Sequence, residues 1–306
     1  MRFNLRDFLS PYLFETQDFV NKETLFTRIS LTILAAVPDD AATPMSVWTV
    51  IILGIVEGLT EFLPVSSTGH LILAGYALNF TGEGATSFEI AIQLGAILSV
   101  IVYFRQLLWD LLRQLPRNPV NQRLALALAV AFLPAAVIGL AVHKLIEAYL
   151  FGPITVAWAL IAGGVVILLV ERRLGKRPME GLNHIDLRQA WWVGVAQCFS
   201  MFPGVSRSGA TIIGGLLTGM DRTTATEFSF LLAVPTMLAA TGYQIVKSHE
   251  VLLQGDPLLL PLGLAVAFVT GLAVVAGFLA FVRSHTFRPF AYYRIVLGVF
   301  ILIIMR

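Results

Sequence analysis

Six apolar runs of roughly bilayer length dominate this chain, at about 88–104, 125–142, 154–170, 228–246, 258–282 and 289–305. A helix needs about 20 apolar residues to cross the hydrocarbon layer, within a range of roughly 17–25. Composition agrees: 57% of the residues are hydrophobic and 13% are charged, against about 25% charged in ordinary soluble domains. Such a chain needs lipid as part of its solvent, so the expected fold is an all-α polytopic membrane protein with six transmembrane helices. Tyr292, Tyr293 and Arg294 stand in the first turns of the last run. They read as an interfacial anchor whose arginine snorkels to the headgroups. A net charge of +2 gives no basis for a nucleic-acid partner. A single cysteine, Cys198, excludes an internal disulfide and a multi-cysteine metal site.

Two further apolar stretches do not read as simple spans. Residues 46–63 contain Glu57 and Glu61, run into a Pro-Val-Ser-Ser-Thr-Gly break, and continue in the short run Leu71–Phe80. Residues 189–202 are broken by Pro203-Gly204 and Ser206-Arg207-Ser208 before the short run Ile212–Met220. Half-helices on either side of such a break predict two re-entrant hairpins, which enter and leave the membrane on the same side. The two stretches also match each other. A shift of 140 positions places Gly54 on Gly194, Phe62 on Phe202, Ser66 on Ser206, Gly69 on Gly209 and Phe88 on Phe228. Glu57 falls on Gln197, which keeps the shape and loses the charge. The chain is therefore expected to hold an internal duplication, with units at about 46–171 and 189–306. Each unit carries one hairpin and three spans. An odd number of spans turns the second copy upside down, and inverted repeats place their site where the broken helices meet.

Basic residues set the orientation. Arg105, Arg113, Arg117 and Arg123 follow the first span, Arg172, Arg173, Lys176, Arg177 and Arg188 lie between the units, and Arg283 and Arg288 precede the last span. All lie on one side in the six-span topology, which the positive-inside rule makes cytoplasmic. The first hairpin then opens outward and the second to the cytoplasm. Residues 1–44 are more polar and read as a dispensable extension preceding a single membrane domain at 45–306.

Glu57 and Glu61 are one helical turn apart, so both project from one face. Carboxylates inside a membrane are costly, and two on one face repel unless a cation separates them. They are candidate divalent-cation ligands or acid-base groups. Ser66, Ser67, Thr68, Gly69 and His70 follow at the hairpin break, where hydroxyls and free N–H groups at a helix start can bind an anion. His70 is a candidate proton donor or nucleophile. The second hairpin supplies Ser206, Arg207, Ser208, Gly209 and Thr211. Arg207 is a charged fork suited to phosphate oxygens. Glu89 and Gln93, one turn apart at the start of the first span, extend the polar set. Convergence of these groups fits attack on a phosphoryl group, in which positioning and charge stabilisation do most of the work. The same groups would also suit a transporter that binds and releases a lipid headgroup.

The stretches Glu57-Gly-Leu-Thr-Glu61-Phe-Leu-Pro-Val-Ser-Ser-Thr-Gly-His70 and Pro203-Gly-Val-Ser-Arg-Ser-Gly-Ala-Thr211 resemble the two signature motifs of the undecaprenyl-diphosphate phosphatases of the bacitracin-resistance type. Phe88-Glu89-Ile-Ala-Ile-Gln93-Leu-Gly95 resembles a third stretch of that family. The likeness runs from about Met45 to Arg306. It implies hydrolysis of undecaprenyl diphosphate to undecaprenyl phosphate and inorganic phosphate, which recycles the lipid carrier for peptidoglycan synthesis. Bacitracin acts on that substrate rather than on the protein, so extra enzyme confers resistance. Carried over residue by residue, the family's acidic pair is Glu57 and Glu61, its serine Ser67, its histidine His70 and its arginine Arg207. The likeness further implies a divalent metal (Mg2+ or Ca2+), a bacterial inner-membrane location, a site open to the periplasm, and a homodimer.

Overall fold

The computed structural model describes residues 45–150, 152–173, 175, 179, 181–247 and 257–304; the extension at 1–44 lies outside them. The described residues form eleven α-helices and no strand. They are α1 (Val47–Thr60), α2 (Ser67–Ala77), α3 (Glu83–Tyr103), α4 (Arg105–Gln114), α5 (Pro119–Leu150), α6 (Pro153–Arg173), α7 (Leu187–Cys198), α8 (Arg207–Leu217), α9 (Arg222–Lys247), α10 (Leu259–Val282) and α11 (Arg288–Ile304).

Five of these, α3, α5, α6, α9 and α10, are long and apolar enough to cross a membrane. The chain is a multi-pass membrane protein on that ground. The sixth expected span is α11, a 17-residue helix of about 25 Å, shorter than the other five. Residues 105–123, expected as a loop, contain α4, which leaves Trp109 and Leu112 exposed.

Each expected hairpin is a pair of short helices packed on one another, α1 with α2 and α7 with α8. Local chemistry starts both pairs. Ser46 caps α1 by accepting the Thr49 N–H at 3.1 Å. Asp186 and Gln189 form a reciprocal capping box on α7, which satisfies two donors that a helix start leaves free. The pairs then dock crosswise: α1 lies against α10, and α7 against α5. Small residues permit this. A Cβ at Gly54 would stand 3.0 Å from the Gly263 carbonyl oxygen, and one at Gly194 would collide with the Ala131 backbone. Close backbone approach of this kind drives helix association in lipid, where apolar burial gives little. The two glycines are 140 positions apart, so the sequence repeat is also a repeat of packing.

A buried ion pair fastens the ends of three helices. Glu171, near the end of α6, accepts from Arg222 at 2.5 and 2.9 Å and from the Phe287 N–H at 3.0 Å. Arg222 opens α9, and Phe287 precedes α11. The Glu171 side chain is fully enclosed, so its charge is tolerable only because all three donors converge on it.

Candidate functional site

The breaks between α1 and α2 and between α7 and α8 carry the same backbone device. Ser66 and Ser206 have φ of 72° and 77° and are the N-caps of α2 and α8. A positive φ is unfavourable for a residue with a side chain. Each serine offsets that strain with a cap, its Oγ accepting the N–H of Gly69 (3.4 Å) or Gly209 (3.1 Å). The N–H groups of Gly69 and Gly209, expected to be open to an anion, are thus engaged within the caps.

The two breaks meet. Arg207 Nη2 donates to Glu61 Oε1 at 3.2 Å, and Arg207 Nη1 donates to the Ser229 carbonyl at 3.0 Å. The guanidinium also lies over the Phe62 ring, 5.8 Å from its centroid, a favourable cation–π placement. Ser67 Oγ donates to the other carboxylate oxygen of Glu61 at 2.5 Å. Ser208 Oγ reaches across to the Leu63 carbonyl at 2.8 Å. Thr211 is turned inward, sharing a 2.6 Å contact with Ser229 Oγ.

A cavity of about 680 Å³ opens beside this junction, within the usual size of a ligand cleft. Glu61, Ser66, Ser67, Thr68, Gln93, Ser206 and Arg207 line it, together with apolar groups such as Phe132, Leu140 and Met237. One polar end and an apolar length suit an amphipathic ligand. Gln93 also accepts from Thr241 Oγ1 at 3.4 Å. Gly69, His70, Ser208, Gly209 and Thr211 are not among the lining residues. Glu57 sits one turn behind Glu61, wholly buried, and neither carboxylate oxygen has a partner among the described residues. Among the described residues, Glu61, Glu89 and Arg207 are the charged groups that act on it.

His70 is held from both sides. Its Nδ1 is 2.7 Å from the Ser66 carbonyl oxygen and its Nε2 is 2.6 Å from the Tyr293 hydroxyl, with the two rings nearly parallel. Arg294, next along α11, corrects a reading of the sequence. It does not snorkel: it is 1% exposed. Its guanidinium donates to four carbonyls, those of Pro64 (3.0 Å), Gly204 (3.0 Å), Ala159 (3.2 Å) and Leu160 (3.3 Å). Pro64 and Gly204 occupy equivalent positions in the two breaks, 140 apart. One side chain therefore ties both turns together, and sequence reasoning missed it. The signal was present, because an arginine inside an apolar run is by default a functional or structural centre.

A profile of the family described as Bacitracin resistance protein BacA matches residues 50–300. An undecaprenyl-diphosphatase of Pseudomonas fluorescens (strain Pf-5) is 50% identical over 261 residues, covering 84% of this chain and 95% of that protein. One from Caldanaerobacter subterraneus is 48% identical over 255 residues, covering 83% and 94%. One from Sorangium cellulosum is 50% identical over 258 residues, covering 82% and 84%.

Proposed function

The chain belongs to the bacitracin resistance protein BacA family, and from that premise we propose that it is an undecaprenyl-diphosphatase. It removes the terminal phosphate of the lipid diphosphate, returns the carrier to peptidoglycan synthesis, and confers resistance to bacitracin. The observation that carries the chemistry is the Ser67–Glu61–Arg207 chain, 2.5 and 3.2 Å between partners, on the wall of an amphipathic cavity.

Ser67 Oγ attacks the terminal phosphorus as Glu61 takes its proton, and the bond from phosphorus to the bridging oxygen breaks, releasing the lipid monophosphate. Water then attacks the phosphoserine. Ser67 recovers the proton from Glu61, and inorganic phosphate leaves. Arg207 holds phosphate oxygens and aligns Glu61, the positioning and charge stabilisation on which phosphoryl transfer depends. His70, with both ring nitrogens engaged, positions the first turn rather than attacking.

A divalent cation fits the donors present. Glu57 offers two buried carboxylate oxygens without a partner among the described residues, and hard cations prefer such oxygens. Glu57 and Glu61 would hold it. Among the described residues no group of three or more His, Cys, Asp or Glu side chains gathers, so further ligands would be water and phosphate, as Mg2+ favours. When bound, the cation would neutralise phosphate oxygens and stabilise the charge left on the departing phosphate.

The two helix pairs act as re-entrant hairpins, α11 completes six spans, and the second half lies inverted on the first. The crosswise docking of α1 on α10 and α7 on α5 supports this reading. In the bacterial inner membrane, the basic segments face the cytoplasm and the site opens to the periplasm; the working unit is a homodimer.

Detergent-purified protein given farnesyl diphosphate should release phosphate only with a divalent cation, and chelation should stop it reversibly. Folded protein that binds the lipid yet releases none would favour a transporter.

A further inference from the structure

Among the described residues, four buried side-chain polar atoms have no hydrogen-bond partner: Glu57 Oε1 and Oε2, Gln197 Nε2 and Arg207 Nε. A buried polar group left unpaired is expensive, and native proteins keep such groups for a reason, often a ligand. Their distribution is informative. The two acceptors belong to the first hairpin and the two donors to the second. Acceptors alone call for a cation; donors alone call for an anion.

Gln197 is 1% exposed and lines the cavity that also contains Arg207, Glu61 and Ser67. Thr236 Oγ1 stands 3.4 Å from Gln197 Oε1 but shares its one hydrogen with the Leu232 carbonyl, which is nearer at 2.8 Å, so the protein leaves the amide nitrogen available to a ligand. It occupies in the second repeat the position that Glu57 occupies in the first, 140 residues earlier. A carboxylate there would put negative charge on the arginine side of the cavity. An amide of the same shape donates instead.

We infer that Gln197 is a substrate-binding residue whose Nε2 donates to a phosphate oxygen of the bound diphosphate, beside Arg207. This rests on the phosphatase reading. It also accounts for the asymmetry of an otherwise repeated pair of turns: one half binds the cation and the other binds the anion.

The test compares wild type with Gln197→Met and Gln197→Glu, each first shown to melt as wild type does. Calorimetry with farnesyl diphosphate reads affinity directly, and phosphate release reads turnover. A hydrogen bond to a charged group corresponds to about 10- to 100-fold in binding. Gln197→Met should therefore weaken binding by about that factor, and Gln197→Glu should weaken it further. Unchanged affinity in Gln197→Met, or affinity in Gln197→Glu equal to wild type, would overturn the inference. Calorimetry needs no turnover, so a wild type that binds without releasing phosphate would count against the phosphatase reading and leave this contact to be judged on affinity alone.

Discussion

Ser66 and Ser206, 140 residues apart in sequence, hold the same left-handed backbone, with φ of 72° and 77°, and each caps the helix that follows. Strain at both copies shows that the turn geometry is needed in each half. Alanine at Ser206 keeps the strain and loses the cap, a loss of about 0.5–2 kcal/mol. Glycine loses the hydroxyl but relieves the strain, roughly 1–2 kcal/mol. Ser206→Ala should lower the melting temperature in detergent, whereas Ser206→Gly should stay near wild type. Equal destabilisation by both would mean that the strain is not stored there.

Arg294 is the second device that aligns the turns. Arg294→Leu leaves the Pro64 and Gly204 carbonyls without their donor, at about 1–3 kcal/mol each. Arg294→Lys keeps the charge but not the fork that spans both turns. A Cβ at Gly163 would collide with the guanidinium, so Gly163→Ala should reproduce much of the Arg294→Lys loss in stability and turnover. Wild-type turnover in Arg294→Leu would show that the active site does not need the clamp.

The Glu171–Arg222 pair offers a control outside the cavity lining. Arg222→Met strands an enclosed carboxylate, which typically costs about 3–5 kcal/mol. Melting should fall sharply while KM for the lipid stays unchanged at temperatures where the protein remains folded. A changed KM with unchanged melting would show that the pair serves the site instead.

Much of this was legible in the sequence, for physical reasons. Membrane helices announce themselves by length and hydropathy, and α3, α5, α6, α9 and α10 were readable on that basis. Glu57, Glu61, Ser67 and Arg207 stood out because charge and hydroxyl groups in apolar runs are rare. The 140-residue match of Gly54 with Gly194 was legible too, but not that each sits at a close helix crossing, against Gly263 and Ala131. What escaped was long-range pairing. Arg294 meets Pro64 across 230 positions and Gly204 across 90, and His70 meets Tyr293 across 223. No local pattern encodes such contacts. Without them Arg294 looked like an interfacial anchor and His70 like an unconstrained proton donor or nucleophile.

Ser67 donates to Glu61 at 2.5 Å, so Ser67→Ala should abolish turnover while leaving lipid binding nearly intact. Trapping labelled phosphate on Ser67 in wild type would support a covalent route. Full activity in Ser67→Ala would exclude it.

If hydrolysis occurs where the two hairpins meet, single-turnover phosphate release must depend on a residue from each of them. Wild type, Glu61→Gln and Arg207→Ala, matched for folding, would each be given farnesyl diphosphate with a divalent cation. Loss of a general base, or of a preorganised charge-stabilising group, typically lowers a rate by about 100-fold or more. Rapid release is expected from wild type, with at least that loss in both variants. Release at the wild-type rate by either variant would place the chemistry elsewhere.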